Sequence, residues 1–495
     1  MAVVREWLQE LSYQLLQGSI DENAEDVIYD SRKAAPDTIF VCMKGARADS
    51  HDFIPSVISA GCRVLVVERP VEVPGDVTVI LVDNGREALA LLSAARFGYP
   101  AKKLITIGVT GTKGKTTTAH MIRTILEACG KKTGMIGTTG IVIGDETFPT
   151  VNTTPESYTI QKAFADMAEA GCQYVVMEVS SQGLKMHRVD GITFDYALFT
   201  NLSPDHIGPN EHADFQEYLY YKSQIFRRAK IGVLNLDDEH YQEIRSHASC
   251  PIYDFSLKTP CDFYADQIDY VSGNGFVGVE FSIKGRYDAR VRVGIPGLFN
   301  VYNALGAFGI ASFLDLPKEK VEKALEHMRV NGRMELVYSS DQFSILVDYA
   351  HNAVSMESLL NTLRAYRPKR LVCVFGCGGN RAKDRRYSMG EIGGKLADLC
   401  ILTADNSRFE KTEDIIQDIK STLVPTGGAY LEIPDRREAI AYAINHAEEG
   451  DMIAVIGKGH EDYQEENGVR HHFLDREVIE KVLAQKKEAV PEQGE

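Results

Sequence analysis

The sequence predicts an α/β protein of about three domains whose sheets are mostly parallel. Its 495 residues correspond to three domains of roughly 150 residues each. Short runs of β-branched residues alternate with amphipathic helical windows, which is typical of layered α/β folds. A hydrophobic content of 44% with 25% charged residues indicates a globular chain rather than a disordered one.

Three blocks of elements follow one another along the chain. The first, residues 1–100, has strands near 38–43, 62–68 and 77–82 and ends in a connector rich in Gly, Pro and Lys. The second, residues 101–335, opens with a strand at 104–110 and a helix from about Thr116 to Cys129, followed by strands near 174–180, 196–202 and 232–237. The third, residues 336–495, has strands near 343–349, 371–375, 399–403 and 452–457, which predict another open, mostly parallel sheet.

Composition excludes several classes of protein. The chain has 54 Lys and Arg against 70 Asp and Glu, and this net charge of −16 argues against a nucleic-acid partner. No apolar run approaches the ~18 residues of a membrane span, and the N-terminus lacks the features of a secretory signal. The nine cysteines form no CxxC pair, so we predict buried thiols in a reduced, cytoplasmic protein.

The strongest chemical signal is the glycine-rich segment at residues 108–117, GVTGTKGKTT, which follows an apolar strand and opens a helix. In a P-loop, backbone N–H groups surround a phosphate, the lysine (here Lys115) reaches the β and γ phosphates, and the hydroxyl (here Thr116) holds Mg²⁺. The strict Walker spacing fails because residue 109 is Val. An ordinary Gly-rich turn is the alternative, and the Gly-Lys-Thr-Thr run favours nucleotide binding.

A second glycine-rich turn, residues 375–381, follows the strand at 371–375. Arg381 stands where a dinucleotide-binding motif would have its last glycine, so this turn disfavours NAD binding. Two interpretations stay open, an anion site built on Arg381 or a tight turn with a solvated arginine.

Two residues at strand ends are candidate metal ligands. Glu178 ends an apolar strand, where a carboxylate that helps to hold Mg²⁺ is needed, although an exposed strand terminus is the alternative. His206, after the next strand, is either a metal ligand or a loop histidine.

These motifs occur in an order that resembles the Mur ligase family of ATP-dependent amide-forming enzymes. The resemblance rests on GVTGTKGKTTT (108–118), EVSS (178–181), TNLSPDH (200–206), NVYN (300–303), NGRME (331–335) and DYAH (348–351), and it covers nearly the whole chain. The Asp30-Ser31-Arg32 segment and residues 40–53 resemble the members that add the third amino acid of the peptidoglycan stem.

The resemblance implies a UDP-sugar-binding domain at 1–100, a central P-loop ATPase domain at 101–335 and a Rossmann-like amino-acid-binding domain at 336–495. It assigns the UDP-muramoyl substrate to Ser31, Asn152, Thr153, Thr154, Ser180 and Arg188. It assigns ATP to Gly111, Thr112, Lys113, Gly114, Lys115, Thr116, Thr117, Asn303, Arg333 and Asp348. It assigns Mg²⁺ to Thr116, Glu178, His206 and a carbamylated Lys222, and catalysis to Lys115, Glu178, His206 and Lys222.

The incoming amino acid is assigned, on the same resemblance, to Arg381, Asp405, Asn406, Arg408, Gly457 and Glu461. The selecting stretch reads Asp405-Asn406-Ser407-Arg408, with the family's arginine kept and its proline replaced by Ser407. A guanidinium can bind the distal carboxylate of meso-diaminopimelate bidentately, and Glu461 could take an ammonium group. We therefore hypothesise meso-diaminopimelate, with L-lysine or another diamino acid as the alternative.

The implied reaction is phosphoryl transfer from ATP to the D-glutamate side-chain carboxylate of UDP-N-acetylmuramoyl-L-alanyl-D-glutamate, followed by attack of the amine on the acyl phosphate. The implied protein is a monomer with small-molecule partners. Two rival functions remain, a related ligase such as one for folate polyglutamylation or cyanophycin-like synthesis, and a P-loop NTPase that acts as a switch or drives a partner.

Overall fold

The computed structural model describes residues 2–45, 48–205, 207–208, 211–273 and 275–488. The chain divides into two compact units, one of Met1–Tyr264, Lys284–Tyr287 and Tyr302–Val321, the other of Ala265–Ile283, Asp288–Val301 and Glu322–Glu495. Each unit is built from helices packed on mostly parallel sheets, so the predicted α/β class is confirmed.

The N-terminal part of the first unit is a small sheet with the strand order β2-β7-β6-β5-β4. Its strands β4 to β7 pair in parallel, and β2 pairs antiparallel to β7. A short antiparallel pair, β1 and β3, lies apart from this sheet. The strands are β1 (Ala2–Val3), β2 (Gln14–Gln17), β3 (Asn23–Ala24), β4 (Asp26–Ile28), β5 (Thr38–Val41), β6 (Val64–Val67) and β7 (Thr78–Leu81).

The central sheet of the first unit has the strand order β11-β10-β9-β12-β8-β13-β14-β15-β16. Strands from β9 to β16 in this order pair in parallel, whereas β9, β10 and β11 form an antiparallel meander at one edge. The strands are β8 (Ile105–Thr110), β9 (Thr133–Gly137), β10 (Gly140–Ile143), β11 (Glu146–Phe148), β12 (Tyr174–Glu178), β13 (Phe194–Phe199), β14 (Ala229–Asn235), β15 (Ile252–Ser256) and β16 (Phe263–Gly273), of which only residues 263–264 belong to the first unit.

The second unit has a sheet with the order β19-β20-β24-β21-β22-β23, in which only the β19–β20 pair among its described strands is antiparallel. Its other described strands are residues 265–273 of β16 and two antiparallel hairpins, β17–β18 and β25–β26. The strands are β17 (Phe276–Gly285), β18 (Ala289–Val293), β19 (Glu335–Ser339), β20 (Phe343–Asp348), β21 (Arg370–Phe375), β22 (Leu399–Leu402), β23 (Tyr430–Glu432), β24 (Asp451–Ile456), β25 (Tyr463–Glu466) and β26 (Val469–His472).

Helices connect the strands and cover the sheets. They are α1 (Val4–Trp7), α2 (Ile54–Ser59), α3 (Gly85–Arg96), α4 (Lys115–Ala128), α5 (Ser157–Glu169), α6 (Ser181–Lys185), α7 (Phe215–Ser223), α8 (Tyr241–Ser246), α9 (Leu298–Ala311), α10 (Lys318–Lys323), α11 (Ala353–Arg364), α12 (Asp384–Leu396), α13 (Thr412–Leu423), α14 (Arg436–Asn445) and α15 (Asp475–Glu488). Short 3₁₀ segments lie at Ser31–Lys33, Ser50–Phe53, Pro100–Lys103, Gln224–Arg227 and Val424–Thr426. In the part of the chain that is described, none of these helices has the length and apolarity that crossing a membrane requires.

The predicted strands and the helix after the P-loop lie within a few residues of the observed ones, because each combines an apolar run with flanking turn residues. The meander β9–β11 and the hairpin β17–β18 were not predicted. Their apolar residues are interrupted by glycine and by charged side chains, so the local pattern does not mark them as strands. All nine cysteines are free thiols, and six of them are buried in the core: Cys42, Cys62, Cys172, Cys373, Cys377 and Cys400.

Candidate functional site

The glycine-rich loop connects β8 to α4 at the carboxyl edge of the central sheet, where β12 and β13 flank β8. Gly111 has φ +144° and Gly114 has φ +84°, values that favour glycine. A Cβ at Gly111 would overlap the Thr200 hydroxyl, and one at Gly114 would overlap the side-chain oxygen of Asn303. The loop is therefore pressed against two neighbouring segments and leads into the start of α4, the usual position of a bound phosphate. Two of its N–H groups, those of Thr112 and Lys113, donate to the carbonyl and side-chain oxygens of Asn201, at 2.8 and 2.9 Å.

Two lysines converge on one carbonyl of this loop. Lys115 Nζ donates to the carbonyl oxygens of Gly111 and Thr112, each at 3.0 Å, and Lys222 Nζ donates to the Gly111 oxygen at 2.6 Å. Burial lowers the pKa of Lys115, and it lowers the pKa of the fully buried Lys222 well below its ordinary value. The proximity of Lys115 lowers the pKa of Lys222 further, because two ammonium groups repel each other.

Glu178 ends β12 inside the core rather than at an exposed strand terminus, with 1% of its surface exposed. Its carboxylate accepts from Thr138 N at 2.8 Å and from the Thr116 hydroxyl at 2.9 Å. Burial raises the pKa of Glu178, and these donors together with Lys115 oppose the rise. A Cβ at Gly137 would overlap the Glu178 carboxylate, so any larger residue there would displace that side chain.

The oxygens of Thr116 and Glu178 fit the chemistry of Mg²⁺, a hard cation that takes few protein ligands and keeps phosphate and water oxygens. Among the described residues there is no cluster of three or more His, Cys, Asp or Glu side chains that could hold a metal ion. His206 lies outside the described residues, so its predicted role as a ligand stays a prediction.

The residues predicted to contact the UDP-sugar surround the end of β12. The Thr154 hydroxyl donates to the Glu178 carbonyl and accepts from Ser180 N, both at 2.9 Å. Arg188 donates to the Thr154 carbonyl at 3.0 Å and to Glu156 at 2.9 Å. Thr154, Ser180 and Arg188 thus form one hydrogen-bonded group that shares a strand end with Glu178.

The other predicted UDP-sugar residues lie at the edges of this group. The Thr153 hydroxyl lies 3.0 Å from the Thr138 hydroxyl, and Asn152 is exposed. Ser31 opens a 3₁₀ turn that Asp30 caps, and the hydrogen bond from Arg32 lowers the pKa of Asp30 to about 2. Burial raises the pKa of the neighbouring Tyr29, and the nearby negative charge of Glu156 raises it further. Glu156 is the residue to which Arg188 donates, so residues 29–31 lie near this pair.

In the second unit, Asp348 is held at the end of β20. Its carboxylate accepts from Met334 N and Ala350 N, each at 2.7 Å, and burial raises the pKa of Asp348. Arg333 stacks over the Tyr349 ring at 5.2 Å from its centroid. The predicted ATP residues Arg333 and Asp348 therefore belong to one packed segment.

The predicted amino-acid residues gather at the carboxyl ends of β22 and β24, the position at which open parallel sheets bind ligands. Asn406 Nδ2 donates to Glu461 at 2.9 Å, and Arg408 Nη1 donates to the Gly379 carbonyl at 2.6 Å. Gly457 has φ +114°, and a Cβ there would lie 2.7 Å from the Asp405 carboxylate. Arg381 is exposed, and a Cβ at Gly378 would have both Arg381 and Arg408 within 4 Å.

Sequence reasoning missed four residues of these groups. Thr138 donates to Glu178; Tyr349 and Lys458 contact Glu461, at 3.3 and 3.4 Å; and Gln464 contacts Asp405. Lys458 has no exposed surface. Lys458 lies between Gly457 and Glu461, two residues that the sequence did indicate, whereas no local sequence signal marks the contacts of Thr138 and Gln464.

Three family profiles match consecutive parts of the chain. "Mur ligase family, catalytic domain" matches residues 25–97, "Mur ligase middle domain" matches 109–311, and "Mur ligase, glutamate ligase domain" matches 332–459. The chain is 39% identical to the UDP-N-acetylmuramoyl-L-alanyl-D-glutamate–2,6-diaminopimelate ligase of Clostridium perfringens, over 97% of this chain and 99% of that one. It is 40% identical to the ligase of the same name from Caldanaerobacter subterraneus, over 95% and 97%.

Solved structures give the same result. A structure of a UDP-N-acetylmuramoyl-L-alanyl-D-glutamate–2,6-diaminopimelate ligase superposes with a TM-score of 0.80 at 28% identity and covers 98% of this chain and 100% of that one. The MurF ligase of Thermotoga maritima in complex with ADP, 18% identical, shares the fold with a TM-score of 0.57 over 94% and 98% of the two chains. The resemblance drawn from the ordered motifs is confirmed, and the chain belongs to the Mur ligase family.

Proposed function

We propose that the chain is the ligase that adds meso-diaminopimelate to UDP-N-acetylmuramoyl-L-alanyl-D-glutamate, using ATP and releasing ADP and phosphate, in peptidoglycan synthesis. The observation that carries this proposal is the 39–40% identity, over nearly the full length, to relatives named as 2,6-diaminopimelate ligases. The arrangement of polar side chains around the P-loop and around Arg408 supports the proposal. We also propose that the enzyme is a cytoplasmic monomer.

In the first step, the γ-phosphoryl group of ATP moves to the D-glutamate side-chain carboxylate, where a P–O bond to ADP breaks and a new P–O bond forms. The P-loop amides, the start of α4 and Lys115 would hold the phosphates, with Thr112 and Lys113 in the loop, Thr117 in the first turn of α4 and Asn303 against Gly114. Arg333 and Asp348 are proposed as further ATP contacts. Catalysis of this step rests on positioning and on neutralising charge.

Thr116, Glu178, His206 and a carbamylated Lys222 would hold Mg²⁺. When bound, Mg²⁺ neutralises charge on the transferring phosphoryl group. The oxygens of half-buried Thr116 and buried Glu178 support this part of the proposal, since they lie 2.9 Å apart beside the P-loop.

Carbamylation of Lys222 is supported by the burial of its amine. A neutral amine can add CO₂ and lose one proton, which replaces a positive group by a carbamate with two oxygens. Burial and the Lys115 charge lower the pKa of Lys222, which favours the neutral amine that this reaction needs. The carbamate would remove the repulsion between the two lysines and supply metal-binding oxygens.

The UDP-muramoyl dipeptide is proposed to bind at Ser31, Asn152, Thr153, Thr154, Ser180 and Arg188. The shared hydrogen bonds of Thr154 with Glu178 and Ser180 support this, because they tie that group to the proposed metal ligand. We propose three domains, at 1–100, 101–335 and 336–495, for the UDP-sugar, ATP and the amino acid. The profile matches at 25–97, 109–311 and 332–459 support those boundaries.

In the second step, the amine of the incoming amino acid attacks the acyl phosphate carbon, the C–O bond to phosphate breaks, and the amide forms with loss of a proton from nitrogen. Arg408 and Arg381 are proposed to bind the distal carboxylate of meso-diaminopimelate. Glu461, held by Asn406, would bind an ammonium group, and Asp405 and Gly457 shape the loop. Lysine lacks the distal carboxylate and would leave the part-buried Arg408 guanidinium without that partner, which costs about 1–3 kcal/mol or more.

The test measures Mg²⁺-dependent phosphate release with UDP-N-acetylmuramoyl-L-alanyl-D-glutamate and, separately, diaminopimelate, L-lysine and L-ornithine. We expect turnover with diaminopimelate at least tenfold above that with either other amine. Stalling with all three amines would contradict the proposed function, and phosphate release without any amine would favour an NTPase. In Arg408→Ala the preference for diaminopimelate is expected to disappear.

A further inference from the structure

The loop that carries Arg408 is held by the β25–β26 hairpin, residues 463–472. The hairpin turns at Asn467 and Gly468, which have φ +49° and +75°. An Asn-Gly pair with positive φ at both residues is typical of a tight two-residue hairpin turn, so this hairpin has a defined shape of its own. It belongs to the same compact unit as Arg408.

Four hydrogen bonds join the hairpin to three of the four residues at 405–408. Two involve the Arg408 backbone, whose N–H donates to the Glu465 carbonyl at 3.0 Å and whose carbonyl accepts from Asn467 N at 2.5 Å. Glu465 N donates to the Asn406 side-chain oxygen at 2.9 Å. Gln464 Nε2 donates to the Asp405 carbonyl at 3.1 Å, and this is the only one of the four that a hairpin side chain makes.

The backbone of Arg408 needs this support. Its φ of +53° is a left-handed conformation that a long side chain seldom adopts and that costs roughly 1–2 kcal/mol. The residue before it is Ser407, whose φ is not restricted by a ring as that of a proline would be. With the backbone held, the guanidinium donates one N–H to the Gly379 carbonyl at 2.6 Å. The direction of the guanidinium therefore depends on contacts made outside the 405–408 loop.

We propose that the β25–β26 hairpin determines which amino acid the enzyme accepts, by fixing the backbone of Arg408, and that Gln464 is a positioning residue in this device. The inference rests on the proposed function, since it concerns how that same site selects its substrate. Gln464 does not need to touch the amino acid. It acts through residue 405 and the loop that continues to Arg408, so its effect is expected in selectivity for the amine and not in the binding of ATP.

The experiment compares kcat/KM for diaminopimelate and for L-lysine in the full-length enzyme with ATP, Mg²⁺ and the UDP-muramoyl dipeptide. Gln464→Glu keeps the shape of the side chain but places a carboxylate against the Asp405 carbonyl. It is expected to lower the diaminopimelate-to-lysine ratio at least tenfold. Gln464→Ala only removes the donor and is expected to lower the ratio about threefold, and it remains informative if Gln464→Glu does not fold. The KM values for ATP and for the dipeptide are expected to stay within twofold.

The matched control is Val469→Ala on the same hairpin, because Val469 is 53% exposed and pairs with Glu466 in the hairpin rather than with the loop. Its selectivity ratio is expected to stay within twofold of the wild type. A double-mutant cycle then tests whether Gln464 acts through Arg408, since substitutions at residues that act through one another do not have additive effects. In an Arg408→Ala background, Gln464→Glu is expected to change the ratio less than twofold.

Two results overturn the inference and leave the proposed function standing. One is a wild-type enzyme that prefers diaminopimelate while both Gln464 variants keep that preference. The other is a further tenfold fall in the Arg408→Ala background, which would mean that Gln464 acts independently of Arg408. A wild-type enzyme that uses neither amine overturns the proposed function, and the inference falls with it.

Discussion

At the scale of single residues, Lys115 and Lys222 lie side by side but differ in the hydrogen-bond partners of their ammonium groups. Lys115 starts α4 and donates to two loop carbonyls, so it behaves as a P-loop lysine. Lys222 ends inside the core with one backbone partner, the Gly111 carbonyl, at 2.6 Å. Burying a second ammonium group beside the first is costly, and a carbamate would remove the positive charge of Lys222. For this reason we expect Lys222 to be modified.

Lys222→Ala is expected to lower kcat by about 10²–10³-fold, because a preorganised charged group at a phosphoryl-transfer site has effects of that size. Short-chain carboxylates should restore part of the activity of Lys222→Ala, since they can replace the carbamate oxygens, and should not restore Lys222→Arg. Wild-type protein equilibrated with ¹³C-bicarbonate should show a carbamate signal by NMR that both variants lack.

The control for Lys222 is Lys230→Ala, because that side chain is 64% exposed and pairs with Asp195. It is expected to keep full activity. An unmodified wild-type lysine at full activity, or an active Lys222→Ala without added carboxylate, would contradict the carbamate.

Glu178→Gln is expected to lower kcat about 10²-fold and to raise the Mg²⁺ concentration needed for activity, because one metal-binding oxygen is replaced by an amide. The same change is expected to raise Tm near neutral pH. Burial raises the folded-state pKa of Glu178 above its unfolded value, so ionising it lowers stability as pH rises. The gain in Tm should vanish below the unfolded pKa of about 4.3.

Thermal unfolding of both proteins between pH 4 and 8 measures this difference. Glu169→Gln, on the exposed end of α5, serves as the control and should leave Tm and activity unchanged. A Tm difference for Glu178→Gln that grows as the pH falls would contradict the burial argument.

At the scale of elements, a buried ion pair joins α14 and α15 to the edge of the sheet that carries the predicted amino-acid residues. Arg436 donates to Asp475 at 2.7 and 2.8 Å, and neither side chain is exposed. The guanidinium also donates to the Ala404 carbonyl at 3.2 Å and to the Ile456 carbonyl at 3.0 Å. These carbonyls lie at the ends of β22 and β24, immediately before residues 405 and 457.

Arg436→Met is expected to lower the free energy of unfolding by about 3–5 kcal/mol, because it leaves the Asp475 carboxylate buried without a partner. The double variant Arg436→Met/Asp475→Leu should recover most of this loss, since no buried charge remains. Urea unfolding followed by circular dichroism measures both.

The control is Lys369→Ala, which removes a pair with Glu449 in which both side chains are 67% exposed. Such surface pairs contribute about 0–1 kcal/mol. A single Arg436 variant that loses less than about 1 kcal/mol would contradict the role of the buried pair.

At the scale of the whole molecule, the net charge of −16 has the same sign as the proposed nucleotide ligands, ATP and the UDP-muramoyl dipeptide, and as the carboxylates of zwitterionic diaminopimelate. Local fields at the P-loop, Arg188 and Arg408 must overcome this acidic surround. The hydrogen-bond donors of the P-loop and of the arginines have positions fixed by the fold. The Arg408 guanidinium, for example, donates to the Gly379 carbonyl. Binding of the ligands therefore depends on prearranged groups and not on the total charge.

The chain is predicted to be a monomer, because each proposed ligand is assigned to residues of one chain. Sedimentation equilibrium at micromolar protein is expected to give the chain mass of 54.9 kDa, without and with ATP and the UDP-muramoyl dipeptide. The Lys230→Ala variant serves here as a surface control. A mass about twice that of the chain would contradict the prediction.

The sequence by itself determined the features that short stretches encode. The P-loop could be read from residues 108–117, because glycines with positive φ, a preceding apolar run and a following helix are local requirements. The parallel sheets follow from the alternation of apolar runs and helical windows for the same reason. The ordered motifs added the family, the ligands and the acceptor hypothesis.

Only the tertiary structure decided which polar groups are buried and what they face. Lys222 has the pattern of a surface lysine in its helix, yet packing against the P-loop excludes it from water completely. Thr138 and Gln464 have no local signal for their contacts with Glu178 and Asp405, which lie 40 and 59 residues away along the chain. Desolvation and hydrogen bonding across such separations depend on how whole elements pack, and local backbone preference carries no information about them.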